Sequence, residues 1–182
     1  MLDAALVEFA TRGYQQASIE DIAARAEVTK GAVYYYFADK HDLATDLETE
    51  LWARLAGEAS AHFDPSAPTL ANLKVVFRAF LAALGDEGEA RFFLRDCWAA
   101  PELEEGGRRQ EERGIAIVQA LVDRGMAAGE LVRLDAETVA RVLVAAFSEA
   151  TLHSLTTGNP DAAAAVVERM VDALGAPERG GA

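Results

Sequence analysis

Hydrophobic positions recur at helical spacing along almost the whole chain. Leu2, Ala5, Leu6 and Phe9 repeat at intervals of three and four and run up to Gly13, which predicts a first amphipathic helix with Gly13 as its C-cap. Ser18-Ile19-Glu20-Asp21 is a capping-box pattern, in which the Ser18 hydroxyl accepts from a first-turn amide and Asp21 reaches back. Ile19, Ile22, Ala23 and Ala26 then form one apolar stripe, so a second helix of about two turns is predicted. Thr29 suits the N-cap of a third helix, Lys30 to about Phe37. Asp39 suits that of a long fourth, through Leu43, Leu47, Leu51, Trp52 and Leu55 to about Phe63.

Asp64-Pro65-Ser66-Ala67-Pro68 breaks the pattern. Beyond it, helices are predicted over Leu70–Leu84, Glu89–Trp98, Glu102–Ala128, Ala136–Thr157 and Asp161–Leu174, separated by Gly85/Gly88, Pro101, Gly129 and Gly158-Asn159-Pro160. Gly106-Gly107 and Gly114 are expected to weaken the third of these, with an interruption there. The pattern gives an all-α chain of about nine helices. Three short helices form an N-terminal helix-turn-helix domain over 1–47, and a larger helical domain occupies 48–176. A flexible Gly-rich tail is expected over 177–182.

Composition supports the all-α reading. The 182 residues are 51% hydrophobic and rich in Ala, and β-branched runs with regular turn signals are absent. The single cysteine, Cys97, reads as a small buried hydrophobe, and neither a metal site nor a cofactor site is expected. No apolar run reaches the ~20 residues that span a bilayer, and no signal peptide opens the chain, so a cytoplasmic protein is expected with no membrane partner. No nucleophile–base grouping, phosphate loop or metal-ligand spacing marks an enzyme, and His62 and His153 are isolated. The net charge of −13 argues against non-specific coating of nucleic acid, so any DNA contact has to come from a local surface.

Such a surface exists at the third helix. Val33 and Phe37, four apart, face inward with Val28 and Ile22, whereas Lys30 and Tyr34 share the opposite face beside Gly31. A short bracing helix, a tight turn and a second short helix make the helix-turn-helix arrangement. Tyr34, Tyr35 and Tyr36 spread over the helix circumference, so at least two are expected to be exposed.

The run from Ile19 to Leu43, with Thr29-Lys30-Gly31-Ala32-Val33-Tyr34-Tyr35-Tyr36-Phe37-Ala38-Asp39-Lys40 at its centre, resembles the signature of the tetracycline-repressor (TetR) family. Ala5-Leu6-x-x-Phe9-Ala10-x-x-Gly13-Tyr14 fits that family's first helix. The match covers roughly the first 47 residues. The resemblance implies a dimeric, ligand-responsive regulator that binds double-stranded DNA at a palindromic operator. Thr29 would cap the recognition helix and donate to a phosphate. Lys30 would approach a guanine edge, Gly31 would permit close approach, and Ala32 and Tyr34 would continue the base-facing surface. Tyr35 and Tyr36 would lie against the sugar-phosphate backbone, and Lys40, at the first turn of the fourth helix, would bind a phosphate. Glu27 stands where the family usually has Gly, and the chain begins inside the first helix without the basic arm that often precedes it.

Charge qualifies that picture. Residues 1–47 hold four basic side chains (Arg12, Arg25, Lys30, Lys40) against eight acidic ones, net −4, yet two of the chain's three lysines fall on the proposed DNA face. Modest, salt-sensitive DNA affinity follows. The alternative is a ligand-binding helical protein whose acidic helix-turn-helix no longer binds DNA.

For the larger domain the resemblance implies an effector cavity and a dimer interface. Trp52, His62, Phe63, Phe77, Phe80, Phe93, Cys97 and Trp98 are the candidate lining, which suggests a small apolar or aromatic effector of unknown identity. The last two helices carry the candidate association surface: Val139, Leu143, Phe147 and Ala150 on one, Val167, Met170, Val171 and Leu174 on the other. Two such helices per subunit would build an intermolecular four-helix bundle in a homodimer. The expected output is repression, released when the effector tilts the fourth helix and changes the ~34 Å spacing of the two recognition helices.

Overall fold

Side-chain caps set where the helices begin in the computed structural model, which describes residues 1–97 and 100–177. Trp98 and most of the expected tail, residues 178–182, lie outside the described residues. Helix α1 (Leu2–Arg12) ends at Gly13, whose φ of 80° and amide bond to the Phe9 carbonyl close it. Ser18 opens α2 (Ile19–Arg25) by accepting from the Asp21 amide, while its hydroxyl donates to the Asp21 carboxylate at 2.7 Å. Thr29 opens α3 (Lys30–Tyr36) through the Ala32 amide, and Asp39 opens α4 (Lys40–His62) through the Asp42 amide. Then follow α5 (Thr69–Ala83) and α6 (Glu87–Arg91), a π-helical turn (Phe92–Asp96), and α7 (Glu104–Ala128), α8 (Ala136–Thr157) and α9 (Pro160–Asp172). Asp135 and Asn159 cap α8 and α9 through the Thr138 and Ala162 amides.

Two differences from the expected pattern have physical reasons. The helix expected over Glu89–Trp98 starts at Glu87 and changes to π geometry at Phe92, which stacks on Phe9 of α1. Helix α7 is not interrupted at its glycines. A Cβ on Gly106 would sit 2.6 Å from Glu48 Oε2, and one on Gly107 would sit 3.0 Å from the Cys97 carbonyl. These glycines allow close approach within a continuous helix.

The chain packs as two compact units. The first joins Met1–Leu55 to Ala83–Gln110. Its core includes Ala5, Phe9, Ile22, Val33, Leu43, Leu47, Phe92 and Leu103. The second joins Ala56–Ala82 to Glu111–Ala182. There Leu73 and Phe77 of α5 pack with Val118 and Val122 of α7, Leu143 and Phe147 of α8, and Val167 and Val171 of α9. Phe77 and Phe147 meet at 5.1 Å. Lys74–Asp172 (2.6 Å) and Arg78–Glu168 ion pairs tie α5 to α9 at the surface. An antiparallel bridge, Leu131 to Gly175, closes the unit's end.

Candidate nucleic-acid interface

Helix α3 is held from one side only. Val33 is fully buried and Phe37 nearly so, above the fully buried Ile22 of α2, while Val28 is half-buried in the turn. The α2–α3 turn passes through Glu27 at φ 56°, the positive-φ residue other than glycine among the described residues. A side chain there costs on the order of 1 kcal/mol. The opposite face of α3 is open. Tyr34, Tyr35 and Tyr36 are 47%, 81% and 65% exposed, and the last two rings meet edge to face at 5.0 Å. Thr29, Lys30 and Gly31 are exposed and Ala32 is half-buried, so the residues expected to meet DNA share one accessible surface, apart from Lys40.

Lys40 requires a correction. Its ammonium donates to the carbonyls of Tyr14 (2.8 Å), Ala17 (3.1 Å) and Gln15 (3.3 Å), and lies 4.4 Å from the Tyr14 ring centroid. With three donors on three carbonyls it ties the α1–α2 connection to the start of α4, and the phosphate contact expected of it has no free donor. Burial, with Glu102 and other nearby negative groups adding to it, pushes the Tyr14 hydroxyl up to about 12, so the ring stays neutral beneath the cation.

The other three cations of the first 47 residues are also engaged. Arg25 Nε bonds Glu8 Oε1 at 2.7 Å and Arg12 Nε lies 3.3 Å from Glu8 Oε2, so both converge on one buried carboxylate. Arg12 also bonds Asp21 at 2.8 Å. The Ser18 hydroxyl first, and the Arg12 charge with it, hold the Asp21 carboxyl below its usual range. Lys30 pairs with Glu20, the second residue of α2, and lies 5.6 Å from the Tyr34 ring centroid. That hydrogen bond holds the Glu20 carboxyl low and the Lys30 ammonium high. Sequence periodicity gives no sign of the Glu20–Lys30 pair, because the two residues are ten apart and meet across the turn.

The segment after α5 packs on α1. Phe92 stacks on Phe9 at 5.1 Å and 20°, and Arg91 donates to the Ala10 carbonyl. A Cβ on Gly88 would sit 2.6 Å from that of Ala10. Glu89, buried, pairs with Arg54 and accepts from the Gly85 amide at 2.9 Å. On α4, Glu48 is 2% exposed, with the Cys97 thiol and the Gln110 amide against its carboxyl group. Burial pushes the Glu48 carboxyl up, and burial with the Glu48 charge pushes the Cys97 thiol far above its ordinary value.

The candidate effector lining divides between the two units. Trp52, Phe93 and Cys97 belong to the first, with Phe93 and Cys97 buried. His62, Phe63, Phe77 and Phe80 belong to the second. His62 is exposed and its ring bonds only its own helix at the Glu58 carbonyl, so it does not line an interior. Phe77 is committed to the core against Phe147, and Phe63 is half-buried 5.9 Å from the Arg124 guanidinium. Four of the eight candidate association residues are corrected. Leu143, Phe147, Val167 and Val171 are buried in the second unit's own core, with Val139, Ala150 and Leu174 packed against it. Of that set Met170 is exposed, and the other exposed large apolar side chains of α8 and α9 are Val142 and Val166. An amphipathic helix needs its strongest stripe for its own core, and Leu143, Phe147, Val167 and Val171 belong to that stripe.

Comparison with known proteins agrees with this geometry. Residues 1–47 match the family described as bacterial regulatory proteins, tetR family, and residues 70–176 match the tetracyclin repressor-like C-terminal domain. The A-factor receptor protein of Streptomyces griseus is 29% identical over 149 residues, which cover 81% of this chain and 51% of that protein. The chain thus spans about half the length of this relative. Among solved structures, the fatty acid degradation regulator FadR from Bacillus halodurans superposes with a TM-score of 0.83 at 20% identity, over 93% of this chain and 95% of that one. The transcriptional regulator FadR from Bacillus subtilis, in complex with stearoyl-CoA, gives 0.82 at 21% identity over 95% of each. At those identities the superpositions show a shared fold.

Proposed function

This chain belongs to the TetR family of bacterial regulatory proteins, and from that premise we propose that it is a dimeric transcriptional repressor. Residues 1–47 bind operator DNA, and residues 48–176 bind a small effector and a second copy of the chain. The observation that carries the reading is α3 itself. Its inward face is locked by Val33 and Phe37, and its outward face presents Lys30 and three exposed tyrosines at the start of a long supporting helix. That is the geometry with which a recognition helix enters a major groove. Lys30 supplies a base contact, and Tyr35 and Tyr36 supply backbone contacts.

The exposed Val142 and Val166 join Met170, one of the expected association residues, as the surface on which a second copy packs. Release is a population shift: an effector acts only as far as it binds the DNA-incompetent state better. The packing of Arg91 and Phe92 on α1 gives it a route, since a ligand that moves the segment 83–97 moves the helix that packs on α2, and α2 in turn braces α3. A small apolar or aromatic molecule is the expected effector class. Stearoyl-CoA, held by the FadR structure from Bacillus subtilis, is a first probe.

The test is selection of duplexes from a random pool by the full chain, then anisotropy of the selected duplex at low and moderate salt. Selective binding that weakens with salt supports the reading. No selection at any salt supports the alternative, a ligand-binding protein with a silent helix-turn-helix, which the engagement of all four cations of the first 47 residues favours.

A further inference from the structure

Resting on the reading of α3 as the recognition helix, we propose that Glu20 is a specificity-determining residue: its carboxylate competes with DNA for the Lys30 ammonium. The four cations of the first 47 residues differ in what their release would leave behind. Freeing Arg12 or Arg25 strips a partner from the buried Glu8, and freeing Lys40 leaves three carbonyls without a donor. Freeing Lys30 leaves nothing buried, because the Lys30 and Glu20 side chains are 49% and 59% exposed and both return to water. Lys30 is therefore the cation that can change partners, and it sits on the outward face of α3 beside Tyr34.

An exposed ion pair shifts an equilibrium by about fivefold at most. One non-specific phosphate contact replaces it with little net gain. A guanine edge offers two acceptors, O6 and N7, and discriminates by considerably more. Only a duplex that draws Lys30 away pays for breaking the pair, whereas a duplex without a strong acceptor leaves Lys30 on Glu20. Glu20 therefore lowers affinity most for the preferred duplex, which narrows the gap between right and wrong sites.

The experiment compares wild type, Glu20→Gln, Lys30→Gln and the double variant as full chains, each checked for native helicity. Each binds a duplex selected from a random pool and a scrambled duplex of equal composition. Glu20→Gln is expected to tighten the selected duplex about fivefold and the scrambled one less than twofold at low salt, with the difference shrinking as salt rises. In the Lys30→Gln background Glu20→Gln should no longer change the ratio of the two affinities. An equal factor on both duplexes, or no change on either, overturns the competition while DNA reading by α3 stands. If neither wild type nor Glu20→Gln selects any duplex, the reading of α3 falls and the competition with it. Selection by Glu20→Gln but not by wild type supports the competition.

Discussion

Lys30 and Lys40 stand ten residues apart and do opposite things with the same ammonium group. Lys40 gathers the Tyr14, Gln15 and Ala17 carbonyls, so its removal should act through stability. Lys40→Met is expected to cost about 1.5–3 kcal/mol in urea denaturation, the range for hydrogen bonds to a charged group, and to weaken binding to all DNA alike. Lys30→Met should leave the urea midpoint unchanged and relax sequence choice. The sequence showed both lysines near the DNA face and could not separate them, because the partners of Lys40 are backbone carbonyls more than twenty residues away. Glu48 was equally hidden, being one acid among many on α4. Its carboxyl lies above its ordinary value near 4.5 because it is buried. A carboxyl raised on folding contributes stability that is full below the unfolded value and is lost as pH rises through the folded one. The gain in urea midpoint from Glu48→Gln over wild type should therefore grow as pH climbs from about 4.5.

At the scale of elements, the caps and phasing of α1 to α4 were legible because they depend on neighbours within four residues. Ser18, Thr29 and Asp39 all cap where the sequence placed them. The π-helical turn and the continuity of α7 were not legible, since both follow from distant partners. The packing of α6 on α1 has a direct test. Gly88→Val places a side chain where a Cβ alone would lie 2.6 Å from the Ala10 Cβ and 3.0 Å from its carbonyl oxygen. It is expected to destabilise by about 1–3 kcal/mol, as overpacking does. It should also weaken operator binding more than an exposed change such as Gly57→Ala, which meets nothing within 4 Å.

For the whole molecule, the proposed DNA binding has to work against a charge of −13, and the proposed association needs an apolar surface. The larger domain was legible as helices but not as faces. Its strongest apolar stripes, carrying Leu143, Phe147, Val167 and Val171, fill the interior. Val142, Val166 and Met170 are left outside. Val166→Asp with Met170→Asp is expected to halve the mass seen by analytical ultracentrifugation while the far-ultraviolet spectrum stays helical. Leu143→Asp should unfold the chain instead, by burying an unpaired charge. Retention of the dimer in the double variant would move the association surface elsewhere.

The contact between Cys97 and Glu48 makes the protein its own reporter. Cys97 is the chain's only cysteine, 1% exposed, and its thiolate is strongly disfavoured beside the Glu48 carboxyl. A disulfide reagent can react only when this part of the first unit opens, so the labelling rate measures the free energy of that opening without any introduced probe. Followed in urea, the rate would separate local opening from global unfolding. Followed with candidate effectors, it would rank them by how far each holds the segment around the π-helical turn closed.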